Sequence, residues 1–189
     1  MFPPRPTHLL HLLLKQKISP GDLVIDATAG NGHDTVFLAE TVGPTGRVIA
    51  IDIQQQAIDS TRLRLQQENL LDRTSLFQIS HTQIARLAQP HTASAILFNL
   101  GYLPGTDHRI ITSTGDTLIA LRAASEILQP GGILAVVCYP GHEGGDVEAD
   151  ATLGFFENLS NHHTARYGMI GTRTPSPFLL FSMKLSVGK

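Results

Sequence analysis

The chain is predicted to be an α/β protein with a doubly wound, mostly parallel sheet of seven strands, the last one antiparallel. Short apolar runs alternate with helical stretches between residues 23 and 159, and each run is continuously apolar, as a strand covered on both faces requires. The tail breaks the alternation. Residues 164–170 and 178–185 flank Thr174-Pro175-Ser176-Pro177 with no helical stretch between them, which predicts a closing antiparallel hairpin.

Taken in order, HLLHLLL at residues 8–14 is followed by KQK and Ser19-Pro20-Gly21-Asp22, the pattern of a short amphipathic helix that ends in a turn. The run LVIDA at 23–27 is the first strand, Gly30-Asn31-Gly32 breaks it, and 34–40 is helical. Gly43-Pro44-Thr45-Gly46 turns the chain into a second buried strand, 47–52, which also ends in an acid. Residues 54–69 give a helix with a loose apolar period. Residues 75–79 and 93–99 are the third and fourth strands, with a modest helix at 82–88 between them. Residues 114–128 form a further helix stopped by Gln129-Pro130-Gly131-Gly132, 133–138 a fully apolar fifth strand, and 147–159 a last helix.

A chain of 189 residues suits one domain, 1–189, of which 1–20 is an N-terminal helical segment. Hydrophobic residues at 42% and charged residues at 16% exclude a disordered chain. No apolar run approaches the roughly 20 residues that span a bilayer, and Pro3, Pro4 and Pro6 stand where a signal peptide would have its core, so no membrane partner is expected. The single cysteine, Cys138, forms no internal disulfide and no Cys-rich zinc cluster, which points to a reducing cytoplasm. No metal is expected, because His91 and His162-His163 lack partners at ligand spacing. His8 and His11 share the first helix, where packing or solvent explains them. A net charge of −2 argues against coating nucleic acid by bulk charge and leaves room for a local basic patch. Residues 1–20 carry Arg5, Lys15 and Lys17 without an acid, whereas 139–160 carry five acids without Lys or Arg. Anionic partners should avoid the second segment. The sequence leaves the oligomeric state open, a homodimer included.

Ligands of doubly wound sheets sit beyond the carboxyl ends of the strands, and Asp26, Asp52, Ser80, Asn99 and Tyr139 fall at or just after those ends. Glycines after the first strand let a backbone approach a ligand closely and offer its N–H groups. About 20 residues after that turn, a carboxylate usually accepts both ribose hydroxyls of a bound nucleoside, the place of Asp52, with Ile53 and Gln54 directly after it. A dinucleotide turn needs a third glycine where this chain has Thr35. S-adenosylmethionine has no pyrophosphate, and its amino-acid end suits a polar turn such as Asp26, Asn31, His33 and Asp34 provide. Methyl transfer therefore leads. A methyltransferase acting on another RNA or a small-molecule amine, a nicotinamide-dependent oxidoreductase and a non-catalytic RNA-binding module are the rival readings.

The fourth strand runs into Asn99-Leu100-Gly101-Tyr102, similar to the Asn-Pro-Pro-Tyr of class I S-adenosylmethionine-dependent methyltransferases, which have a Rossmann-like fold and use this segment to orient an amine. The stretches 26–35, Ser80-His81, 98–105 with Asp107-His108, Gly141-His142 and Pro177-Phe178 together resemble the small family labelled "putative rRNA methylases". A characterised branch of that family methylates the aminomethyl group of wobble 5-aminomethyl-2-thiouridine in tRNA. The resemblance implies that activity and a tRNA partner bound at its anticodon region. It also implies cofactor residues Asp26, Gly30, Asn31, Gly32, His33, Asp34, Thr35, Asp52, Ile53, Gln54, Ser80, His81 and Asn99. Asn99 would hold the amine, Asp107 or His108 would take its proton, and Tyr102 would contact the base. Ile79, Asp146 and Gly171-Thr172 stand where the family usually has an acid, a Lys and Asn-Gln.

Overall fold

The structure is a computed structural model, and residues 3–101, 113–141 and 144–186 are described. Helix α1 (Pro6–Lys15) starts with proline in its first turn, where the missing N–H costs nothing, and buries Pro6, Leu10 and Leu14 at a spacing of four. The chain then alternates through β1 (Leu23–Asp26), α2 (His33–Val42), β2 (Arg47–Asp52), α3 (Gln55–Gln67) and β3 (Thr74–Gln78). It continues with β4 (Ala93–Asn99), α4 (Thr114–Ile127), β5 (Leu128–Cys138) and α5 (Gly145–Glu157). The hairpin β6 (His162–Gly168) and β7 (Phe178–Lys184) closes it.

The seven strands lie in the order β3-β2-β1-β4-β5-β7-β6. All neighbours from β3 to β5 are parallel, and β7 runs antiparallel to both β5 and β6. Successive strand residues feed opposite layers. Val24, Val48, Ala95, Leu97 and Val137 pack with α1, α2 and α3, while Ile25, Ile51, Ile96, Phe98 and Val136 pack with α4 and α5. Both faces are thus buried, which is why these strands read as unbroken apolar runs.

Two local differences from the sequence reading have physical causes. The stretch after β3 is a 3-10 helix, His81–Arg86, capped by the Ser80 hydroxyl, which accepts the Thr82 N–H at 3.2 Å. Strand β5 begins at Leu128, before the Pro-Gly-Gly segment that was expected to be a turn: Leu128 pairs with Ala93, and the register shifts before Ala95 meets Ile133. Gly131 sits at φ +80°, and a Cβ on Gly132 would lie 2.8 Å from the Gln129 carbonyl oxygen. The glycines therefore form a bulge inside the strand. From β1 the sheet is built outward in both directions, towards β2 and towards β4, so the crevice for a ligand opens at the ends of β1 and β4.

Candidate active site

Asp26 ends β1 fully buried, accepting the Thr35 hydroxyl at 2.6 Å and the Thr28 N–H at 3.2 Å. Burial and the nearby carboxylate of Asp34 push it up to about 7, against the opposing pull of those two hydrogen bonds. Thr28 then accepts the Asn99 N–H on its hydroxyl at 2.7 Å, tying the end of β4 to the first turn. Asp34, in the first turn of α2, accepts the Asn99 side-chain amide at 3.1 Å. Tyr139, just past β5, is raised by burial and by Asp34, while a hydrogen bond with the Asn99 side chain acts the other way.

Asp52 joins the same crevice from β2. One of its oxygens accepts the Gly30 N–H and the other the Gln54 N–H, both at 2.9 Å. Each oxygen retains a lone pair for a further donor. Ile53 follows with 61% of its surface exposed, a large apolar side chain beside a carboxylate and open to a flat ring. Gly30 and Gly32 have φ of +53° and +80°. Gly32 needs no ligand to explain it: a Cβ there would lie 2.8 Å from the Thr61 Cα of α3. The turn is also held from α3 by the Thr61 hydroxyl on the Gly30 carbonyl at 3.1 Å and Arg64 on the Asn31 carbonyl at 2.9 Å.

His81 packs edge-on to Phe98 at 5.9 Å, and burial pulls its pKa down while Asp116 and Asp52 pull it up. Buried and lowered, it suits a neutral ring. Cys138 is buried with its thiol pushed up to about 12, chiefly by burial, so it is no nucleophile. Among the described residues no group of three His, Cys, Asp or Glu is placed to hold a metal, and no helix is long and apolar enough to cross a membrane.

The "Putative rRNA methylase" family model matches residues 48–183. The chain belongs to this family. It is 38% identical over 94% of its length to the tRNA (mnm(5)s(2)U34)-methyltransferase, chloroplastic, of Arabidopsis thaliana, covering 69% of that protein. The rRNA methylase family structure from Clostridium thermocellum superposes with a TM-score of 0.94 at 36% identity, over 98% of this chain and 100% of that one. A Streptococcus mutans methyltransferase solved with S-adenosylhomocysteine (SAH) superposes with a TM-score of 0.87 at 36% identity, over 96% and 99%. This family member is a methyltransferase, and its methyl donor is S-adenosylmethionine.

The structure links Asp26, Thr35, Asn99 and Asp34 through Thr28 in one hydrogen-bonded group and Gly30, Asp52 and Gln54 in a second, while Arg64 holds Asn31 and Gly32 packs on Thr61. His33 opens α2 beside this turn. Ser80 and His81 border it from the end of β3. Tyr102, Asp107 and His108, and His142 with them, lie outside the described residues. Sequence reasoning gave no role to His11, whose Nε2 lies 2.7 Å from Asp34 Oδ1 and whose ring stacks on Phe37. It was hidden because an isolated histidine in an amphipathic helix carries no spacing signal. Thr28 was visible only as a letter within the glycine motif.

Proposed function

We propose that the chain N-methylates the aminomethyl group of wobble 5-aminomethyl-2-thiouridine in tRNA, acting as a single domain in the cytoplasm. The observation that carries this reading is the 38% identity to the Arabidopsis wobble-uridine methyltransferase across 94% of the chain, because a match of that extent covers both the cofactor turn and the strand end that would face the substrate.

The donor fits the crevice on electrostatic grounds. Asp26, Asp34 and Asp52 converge there, and their mutual repulsion helps keep Asp26 from ionising. Such a crevice favours a cation, and S-adenosylmethionine carries both a sulfonium and an ammonium group. Asp52 would accept the ribose hydroxyls, Ile53 would cover a face of the adenine, and the turn at 30–35 with Asp26 would hold the amino-acid end. When bound, the donor supplies a methyl group on a positively charged sulfur.

The residues of the chain then have to place an amine. Asp34 takes the Asn99 amide nitrogen, so the carbonyl oxygen is what Asn99 offers to an N–H of the substrate. Accepting that hydrogen aims the nitrogen lone pair without charging Asn99, and alignment of this kind supplies several kcal/mol of a displacement barrier. Asp107 or His108 would receive the proton released when nitrogen gains its fourth bond, and Tyr102 would stack on the base.

The reading is tested by offering purified protein and labelled donor to two acceptors, tRNA bearing the unmethylated aminomethyl-thiouridine and ribosomal RNA. Label should enter tRNA alone, and uptake should weaken with salt as phosphate contacts are screened. Label in ribosomal RNA with tRNA untouched would replace this reading by a ribosomal one.

A further inference from the structure

His11 reaches the crevice from α1, twenty-odd residues before the turn it touches. Its ring lies flat on Phe37, centroids 3.9 Å apart and planes within 2°, and its Nε2 is 2.7 Å from Asp34 Oδ1. The other oxygen of that carboxylate accepts Asn99 Nδ2 at 3.1 Å. An ionised carboxylate has no hydrogen to give, so both neighbours are donors. His11 donates to that carboxylate in the tautomer that protonates Nε2, and Asn99 turns its amide nitrogen towards Asp34.

We propose that His11 is a positioning residue for methyl transfer, fixing the Asp34 carboxylate so that it holds the Asn99 amide with its carbonyl oxygen presented to the substrate amine. The proposal rests on the reading of Asn99 given above. Its physical basis is the direction of constraint. Leu10 and Leu14 are fully buried, so the backbone of α1 is seated on the sheet on both sides of His11, and the stack on Phe37 fixes the plane of the ring. The side chains of His11 and Asp34 are only 30% and 12% exposed, so water competes weakly for the bond between them. Without that donor, Asp34 would face the carboxylate of Asp26 with one fewer restraint, and its rotation would leave the Asn99 side chain to its contact with Tyr139.

Two substitutions separate the hydrogen bond from the stack. His11→Phe keeps a ring for Phe37 and removes the donor, whereas His11→Gln removes the ring and keeps a donor nitrogen the same number of bonds from Cα as Nε2. His11→Met serves as the donor-less variant if the Phe protein does not fold, as judged by circular dichroism. Single-turnover methylation of undermodified tRNA is measured with enzyme in excess over tRNA and donor saturating, together with donor affinity. His11→Phe should slow transfer roughly 10-fold or more while donor affinity changes by less than about 3-fold, the pattern of lost alignment. His11→Gln should recover most of that rate. Because the effect passes through Asn99, the His11→Phe/Asn99→Ala double variant should be no slower than Asn99→Ala.

Multiplying effects in the double variant, or equal slowing by Phe and Gln, would overturn the proposal in favour of an independent or packing role. Normal turnover by His11→Phe beside a slow Asn99→Ala would overturn it while leaving the reading of Asn99 intact. Normal turnover by Asn99→Ala would instead remove the reading of Asn99 on which the proposal stands.

Discussion

The carboxylate of Asp26 makes the apo fold less stable as pH rises, and this is measurable. Its pKa in the fold is about 7 against an ordinary 3.8, with burial the first cause and Asp34 the second. Between those values the folded chain binds a proton that the unfolded chain has lost, so stability contributed by protonated Asp26 is complete below about pH 4 and is lost as pH climbs to about 7. At about 1.4 kcal/mol for each tenfold difference in proton affinity, the loss is on the order of 2–4 kcal/mol. Asp26→Asn removes the titration and keeps one acceptor for Thr35 or Thr28. Urea unfolding of both proteins without donor, from pH 4 to pH 8, gives two curves whose difference isolates this group. The wild-type curve should fall relative to Asp26→Asn by that amount and level off above about pH 7. A cationic donor favours the ionised carboxylate, so its binding should release a proton near pH 6 and tighten as pH rises towards 7. Parallel stability curves would show that Asp26 ionises normally and that the crevice is not short of positive charge.

Asp52→Ala should weaken donor binding by about 1.5–3 kcal/mol, the range for a hydrogen bond to a charged group, in calorimetry; unchanged affinity would remove it from the ribose site. Gly32→Ala should destabilise the fold by about 2–4 kcal/mol, since it forces a side chain into left-handed backbone and against Thr61, and a urea midpoint within error of wild type would contradict that packing. Asn99→Ala should lower turnover roughly 100-fold with donor affinity changed far less. A folded variant with near-normal turnover would make Asn99 only a turn residue.

Much of the sheet was legible because its strands are buried on both faces. Residues 47–52 and 93–99 are bounded by turn residues on one side and by a polar residue at the ligand end, and both strands occupy those positions. Leu128 to Gly132 misled for a chemical reason: Pro and Gly signal turns, and only the pairing of Leu128 with Ala93 shows that they are extra residues inside a strand. The acids at strand ends converge as the strand-end rule requires, since parallel neighbours put Asp26 beside Leu97, two residues before Asn99. What the sequence could not convey is which group faces which. Gly32 reads as a glycine for close ligand approach, and Thr61 of α3 also leaves no room for a Cβ there. His11 looked like a packing residue, and it is one, with a second contact to Asp34 that only the docking of α1 creates.

The wobble-uridine activity is tested most directly by where the methyl group goes. Protein incubated with trideuteromethyl S-adenosylmethionine and tRNA carrying 5-aminomethyl-2-thiouridine, followed by digestion and mass spectrometry of the nucleosides, reports that position. The labelled methyl should appear on the exocyclic nitrogen of the wobble nucleoside while its aminomethyl precursor disappears in step. A labelled ring carbon, ribose or other nucleoside, with the aminomethyl precursor left unchanged, would contradict it.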